Sequence, residues 1–454
     1  VTGLPLGSAE LARAVEDGHV DDWLQALGIE NVHVALLDPS GTLREKRLGH
    51  RAAARAFERG WSFIDAIGWW GPDDTVWRTG GSEHQPVRLD TRSGRHSPFE
   101  QNSVLFLAEF DGPMAELSPR YQVQKMVDRL AATGLACEVG WEFECVVLDS
   151  NPALESGELH SLSPIMPANR CWSSLTMASD AALIDGWINA LTEGDVPIDH
   201  VCAELGPGCL ELATEQRPAL RAADDAAWAK VFTKAYFAQR SLVATFMAQL
   251  SDGFPGLGGH PSVSFRSLED GSPVLAEPDG HLSKIALKAV AGITALLPEL
   301  LAMAAPSPNS YRRFGPGNWA PSTATWGVGN YSCALRAVTD DPECARLELR
   351  IPGADTSPHL CTAMVLGAAV WGIEQGLEPP PPIRAPQDGR EHECGRPLPR
   401  DLVEAAQRLS ESNAARALFG ARFVEHYAAG RIAEAQACNR FVSAQERQRY
   451  LHNA

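Results

Sequence analysis

The chain is predicted to fold as an α+β protein, with a small sheet domain over residues 1–115 and a larger domain over 116–454. Three observations carry this. Short apolar runs separated by turns rich in Gly, Pro and Asp fill the first 113 residues. Beyond them, alanine-rich stretches with helical spacing alternate with strand-like segments. Glutamates recur on those segments, as on a sheet face lined with carboxylates and backed by helices.

Taken in order, 32–37 and 104–108 read as strands of the first domain, accompanied by one or two helices. The break falls at 111–120, and Pro119 and Arg120 open a helix expected over 121–133. Strands are then expected at 137–148, 201–213, 260–265 and 344–351, and helices at 179–193, 224–247 and 281–304. Pro379 to Ile383 reads as a stiff surface connection, and the chain is helical again from Leu398.

A chain of 454 residues with 44% hydrophobic and 21% charged residues is long enough for two cores and has a globular composition. Its formal charge of −18 argues against a nucleic-acid partner, because a phosphate backbone demands a basic surface. No run of about 18 uninterrupted apolar residues occurs, and no basic stretch followed by an apolar one opens the chain. No membrane partner and a cytoplasmic location are therefore expected. Its ten cysteines are scattered with no Cys-x-x-Cys pair, so neither a disulfide framework nor a zinc site is indicated, and most should be reduced and buried.

Six candidate metal ligands lie in four segments: Glu142 and Glu144 in Gly-Trp-Glu-Phe-Glu-Cys, Glu204 and Glu211 in Glu-Leu-Gly-Pro-Gly-Cys-Leu-Glu, His260 in Pro-Gly-Leu-Gly-Gly-His, and Glu348 in Arg-Leu-Glu-Leu-Arg. Hard oxygen donors suit Mg²⁺ or Mn²⁺, which bridge phosphates, so phosphoryl transfer is the chemistry to seek. Strand alternation puts Glu142 and Glu144 on one face and Phe143 and Cys145 on the other. An exposed sheet face would leave these glutamates merely solvated, but the flanking Val and Leu residues point to burial, and buried carboxylates need a cation. The same alternation groups Arg346, Glu348 and Arg350 on one face, where planar guanidiniums can bind a carboxylate through two parallel hydrogen bonds.

In order and spacing, these segments resemble the glutamine synthetase family, in its bacterial type I form and its glutamate–amine ligase branch. The resemblance runs from Asp38-Pro-Ser-Gly-Thr-Leu-Arg-Glu-Lys-Arg47 to Leu418-Phe-Gly420 and Tyr450. It implies a β-grasp-like N-terminal sheet domain and a catalytic domain whose antiparallel sheet forms a partial barrel. It implies a homo-oligomeric ring, hexamer or double hexamer, in which residues 1–115 complete the neighbour's active site, with Asp65 the nearest match to the contributed acid. Glu144, Glu204 and Glu211 would hold one ion, and Glu142, His260 and Glu348 a second. Arg313 and Arg350 would hold L-glutamate beside the Gly256 backbone, while Arg336 and Arg346, with Ser262 and Ser264, would face ATP. Arg313, Arg336 and Trp319 are the residues carried over as catalytic.

Departures from the family pattern shape the expected activity. Trp319 stands where an ammonia-using synthetase carries a glutamate; an indole cannot bind ammonium or take its proton, but offers a π-rich wall to a larger amine. Tyr331 replaces an arginine, Ser262 a second histidine, Gln249 a lysine and Cys209 a glutamine. The implied activity is ATP-dependent ligation of the L-glutamate γ-carboxyl to an organic primary amine through γ-glutamyl phosphate. Two other readings stand beside it: an ammonia-dependent glutamine synthetase, and a ring protein that kept the fold and lost the chemistry.

Overall fold

The computed structural model describes residues 9–78, 81–150, 163–314, 319–384 and 395–451. A mixed sheet organises the first part: β1 Asn31–Leu37, β2 Leu43–Gly49, β3 Trp61–Ile64, β4 His84–Leu89, β5 Arg95–His96 and β6 Ser103–Phe110. Its order is β2-β1-β6-β4-β3, with β5 on β6. Only β1 and β6 run parallel, a β-grasp-like arrangement. Three α-helices accompany it, Ala9–Asp17, Val20–Ala26 and His50–Arg59, where one or two were expected. The first two are short and anchored by Leu11, Val20 and Leu24, too few apolar positions to announce a period.

Asp38, the first residue of the quoted N-terminal motif, is fully buried. It accepts the N–H groups of Ser40 and Thr42, both at 2.9 Å, and the Arg44 Nε at 2.9 Å. The turn ends on Gly41 at φ +82°, where a Cβ would fall 2.4 Å from Ser357 Oγ, so this hairpin packs directly against the second part of the chain. Arg120 clamps the junction, bonding Asp224 at 2.9 Å and Asp90 at 2.8 Å.

The second sheet comprises β7 Leu135–Asp149, β8 Ile198–Ala203, β9 Cys209–Thr214, β10 Arg217–Pro218, β11 Leu242–Thr245 and β12 Gly259–Ser267; β13 Thr323–Ala324 lies apart, followed by β14 Trp326–Val328, β15 Leu335–Val338 and β16 Arg346–Leu349. Its order is β14-β15-β16-β12-β7-β9-β8, with β10 and β11 also on β7, and it curls into a half-barrel. Along β7, Cys137, Val139, Trp141, Phe143 and Cys145 sink into the core, while Glu142 and Glu144 stay partly open on the other face. Helices Ala219–Ala238, Lys284–Leu300 and Pro358–Gln375 build the core behind the sheet. Gly292 and Gly372 bring the last two into backbone contact: a Cβ on Gly292 would meet Ala368 O at 2.1 Å. The stretch Lys284–Met303 is apolar enough to cross a membrane, yet 72% of its apolar window is buried inside this core.

Three expected elements change shape. The strand at 201–213 is two, β8 and β9, because Gly206 (φ +113°) and Gly208 (φ +67°) turn the chain between Glu204 and Cys209. The helix at 224–247 starts earlier and stops at Ala238; Ser241 at φ +57° reverses the chain and β-branched Val243 and Thr245 join β11. The strand at 344–351 shortens to β16, since the Asp341 side chain caps a 3₁₀ turn at Pro342–Cys344.

Candidate active site

Strand register assembles the site. Glu144 lies opposite Glu211, and Glu211 opposite Cys202. Glu142 lies opposite His260, Ser262 opposite Glu348, and Glu348 opposite Arg336. Residues far apart in the chain thus form one stripe across β8, β9, β7, β12, β16 and β15.

Two clusters stand out along it. Glu142, His260 and Glu348 bring one donor atom each to within 4.8 Å of one another, the trio expected for one ion. His260 Nδ1 is 3.9 Å from both Glu142 Oε2 and Glu348 Oε1. In the second cluster, Cys202 joins Glu204 and Glu211 within the same limit, in place of Glu144. Glu144 turns toward the glycine loop, where its Oε2 accepts the Gly258 N–H at 2.9 Å. Any Cβ on Gly258 would lie 2.4 Å from His260 Nε2, so only glycine lets the loop run this close to both ligands.

The electrostatics fit a cation-binding face. Burial pushes the Glu211 carboxyl up to about 8, helped by the charges of Glu142, Glu144 and Glu204. Burial also raises Glu142, but its bond to His260 and the charges of His260 and Arg350 outweigh that and hold it low. A testable consequence follows for the metal-free protein. Folded Glu211 binds its proton up to about pH 8, whereas an unfolded glutamate loses it near 4.5, so stability falls as pH rises through that window. Thermal melts of chelator-treated protein should therefore decline from pH 5 to 8, and Mg²⁺ or Mn²⁺ should recover most at the upper end; a flat profile would contradict the crowded-carboxylate picture.

Glu348 is 1% exposed and carries two guanidiniums: Arg336 Nη1 donates to it at 2.7 Å, and Arg350 Nη1 bonds its other oxygen. Tyr331, the residue in place of a family arginine, lies under both, its ring 3.9 Å from the Arg336 Cζ and 5.1 Å from that of Arg350. Its carbonyl also accepts Arg350 Nε at 3.0 Å. Arg313 is buried and donates Nη1 to Ile351 O at 2.9 Å, and its Nε has no partner among the described residues. It packs on Gly256, where a Cβ would meet its Cγ at 2.8 Å.

The remaining candidates scatter more. Arg346 is partly exposed at the start of β16, where its Nη1 donates to the Cys344 carbonyl at 3.5 Å. Ser262 Oγ is buried with no partner among the described residues, while Ser264 Oγ is committed to the Ala345 carbonyl at 2.9 Å. Gln249 braces the loop, donating to Ser251 O at 3.0 Å and Phe254 O at 2.6 Å. Cys209 is 1% exposed, and its carbonyl accepts Asn169 Nδ2 at 3.0 Å. Trp319 is 71% exposed and precedes Ala320, which bridges to Phe314. Asp65 is buried and lines a cavity of about 530 Å³ with Arg422 and His426 of the same chain.

Sequence reasoning missed four neighbours of the carboxylates. His200 Nε2 is 3.6 Å from Glu211 Oε1, and Cys202 Sγ is 3.6 Å from the same oxygen. Trp172 Nε1 donates to Glu204 Oε1 at 3.1 Å, and Cys171 Sγ lies 3.5 Å from Glu204 Oε2. Spacing offered a signal for two of them, since His200 and Cys202 precede Glu204 at intervals of two. Of the nine described cysteines, five are buried, and Cys171, Cys344 and Cys438 are exposed.

A curled sheet lined with carboxylates, an imidazole and paired guanidiniums is the working face of a divalent-metal enzyme that handles anions. The model of the glutamine synthetase catalytic domain matches residues 116–450, and the chain belongs to the glutamine synthetase family. It is 32% identical to the glutamate–isopropylamine ligase of a Pseudomonas species, over 95% of this chain and 97% of that one. It is 30% identical to the gamma-glutamylethanolamide synthetase GlnA4 of Streptomyces coelicolor, over 93% and 91%. Among solved structures, a GmaS/ADP complex shares the fold with a TM-score of 0.84 at 22% identity, covering 95% of this chain and 99% of that chain.

Proposed function

We propose that the protein is an ATP-dependent carbon–nitrogen ligase that joins the γ-carboxyl of L-glutamate to an organic primary amine. ATP phosphorylates glutamate, the amine attacks the acyl carbon of γ-glutamyl phosphate, and a γ-glutamylamide, ADP and phosphate result. Phosphorylation replaces a poor leaving group with a good one. Chain-long similarity to amine ligases carries this reading, together with the stripe of ligands that the register assembles.

Glu142, His260 and Glu348 would hold one divalent ion, Mg²⁺ or Mn²⁺, and Glu204 and Glu211, with Glu144 nearby, a second. Such ions, when bound, neutralise the charge that keeps a nucleotide phosphate and a carboxylate apart. Arg336 supplies a fixed positive charge to the phosphates, steadied by Glu348 and the Tyr331 ring, with Arg346, Ser262 and Ser264 on the nucleotide side. Tyr331 thus takes over part of an arginine's work by holding two others in place, which favours a working site over a vestigial one. Arg313 and Arg350 orient glutamate beside Gly256, and Trp319 walls the amine. A homo-oligomeric ring, hexamer or double hexamer in the cytoplasm, completes the proposal, with residues 1–115 closing the neighbour's site.

ADP release should be assayed with L-glutamate, ATP and Mg²⁺ against isopropylamine, ethanolamine, diamines, ammonia and an amine-free control. Stimulation by a primary amine beyond that by ammonia is expected; ammonia performing at least as well as every amine would instead favour glutamine synthesis. Arg350→Lys keeps the charge but loses the guanidinium fork, a charged hydrogen bond worth about 1.5–3 kcal/mol. The KM for glutamate should rise roughly ten- to a hundredfold, far more than that for ATP. The opposite pattern would move Arg350 to the nucleotide side.

A further inference from the structure

A cavity of about 400 Å³ lies where the turn at 40–43 meets the second part of the chain, and none of the carboxylate-face residues lines it. Three cations do. Lys230 and Lys234, one turn apart on the helix Ala219–Ala238, are joined by Arg431. Lys230 Nζ donates to the carbonyls of Ala354 and Thr356 at 2.8 and 2.9 Å, while Arg431 donates to Pro306 O at 2.9 Å and to Ser40 Oγ at 3.1 Å. Lys234 Nζ lies 5.9 Å from the centroid of the Phe246 ring. Among the described residues no carboxylate oxygen comes within 4.0 Å of any of the three, although the chain carries a formal charge of −18. Two carboxylates share the wall, but Asp355 Oδ2 accepts the hydroxyls of Ser307 and Ser310 at 2.7 and 2.6 Å, and Glu434 Oε1 lies 3.8 Å from Cys438 Sγ. Positive charge is in excess. Burial, with the neighbouring Lys234 charge, pushes the Lys230 ammonium down to about 7, as happens to a cation held from water without a counter-ion.

We propose that this cavity is an effector site that binds the phosphate group of a small anion, free phosphate or a phosphate monoester, on Lys230 and Lys234. A phosphate group carries about 1.5–2 negative charges near neutral pH, so it answers two ammoniums where a carboxylate answers one. Lysine serves phosphate as a point charge, and the Ser40 and Thr42 hydroxyls add hydrogen-bonding groups to the same wall. A cavity of this volume also houses a small organic body, against Leu43, Phe246 and Met247. The effector role rests on the reading of Gly256 as part of the glutamate subsite. Asn309 lines the cavity and holds Gln249 by both backbone groups, accepting its N–H and donating to its carbonyl, each at 2.9 Å. Gln249 in turn braces the loop that leads to Gly256 through its bond to Phe254 O.

Glycerol 3-phosphate, inorganic phosphate and glycerol are the probes, titrated calorimetrically into the full-length protein in metal-free buffer, which keeps phosphate from ions on the carboxylate face. Glycerol 3-phosphate should bind at about one equivalent per chain and glycerol not at all. Tighter binding of the ester than of free phosphate identifies a monoester as the occupant, and equal affinities identify the free ion. Lys234→Gln should weaken binding at least about tenfold, Lys234→Arg should restore most of it, and Lys284→Gln, which removes an exposed charge elsewhere, should leave it within about twofold. Lys234 is the residue to replace because it is exposed, whereas Lys230 also holds two backbone carbonyls and its loss would disturb the fold. No binding of either phosphate in wild type, undiminished binding in Lys234→Gln, or an equal loss in Lys284→Gln overturns the proposal. With ATP and Mg²⁺ present, the tighter of the two anions should shift the glutamate KM of amine-dependent ADP release about fivefold or more in wild type and not in Lys234→Gln. An unshifted KM with binding intact overturns the effector role, while binding without ligation under any condition defeats the ligase reading and leaves the site standing.

Discussion

Glu348→Ala should abolish amine-dependent ADP release, by on the order of 10³-fold or more, and also cost the fold about 3–5 kcal/mol. Both effects come from one carboxylate. Glu348 lies within ligand distance of Glu142 and His260, so its loss weakens ion binding directly. It is also the buried counter-charge of Arg336 and Arg350, which share the Tyr331 ring and would otherwise face each other unneutralised. Glu144→Ala isolates the first effect: the described contact of that carboxylate is the Gly258 N–H, so activity should vanish with a much smaller loss of stability. ADP release and urea unfolding of both variants check this. Near-normal turnover in either would sink the two-ion assignment, and unchanged stability in Glu348→Ala would remove its role as counter-charge.

How much of this was legible in the sequence depends on the range over which each signal acts. Alternation along one strand is local, so the pairing of Glu142 with Glu144 on one face, against Phe143 and Cys145 in the core, was readable directly. The trio of Glu142, His260 and Glu348 was readable only through resemblance, because the register that joins β7, β12 and β16 is a tertiary property. Resemblance groups Glu144 with Glu204 and Glu211, and register places Glu144 opposite Glu211, while Cys202, two residues before Glu204, lies outside the resemblance and joins the carboxylates only through the β8–β9 pairing. The stretch 201–213 failed for the opposite reason, since its Gly-Pro-Gly turn was visible but read through as strand. Nothing in sequence spacing could place Tyr331 beneath two arginines, one of them 19 residues further along, just past the end of β16.

Trp319→Glu should lower kcat/KM for the preferred primary amine by roughly ten- to a hundredfold, the range expected if about 1.5–3 kcal/mol of apolar contact is lost. The indole is 71% exposed, so most of its surface is available to a substrate rather than spent on packing. Ala320, the next residue, bridges to Phe314, itself one residue after Arg313, which ties the amine wall to the buried guanidinium proposed to hold glutamate. A carboxylate at this place can bind ammonium and take its proton, so the variant should gain weak glutamine formation that wild type lacks. Trp319→Phe keeps the aromatic face and should retain most amine activity, which separates lost contact from added charge. Kinetics with one alkylamine and with ammonia, across wild type and both variants, decide the matter. If Trp319→Glu leaves the amine-to-ammonia ratio of kcat/KM where wild type has it, the indole does not face the nucleophile, and amine selectivity must be sought among the residues that line the carboxylate face itself.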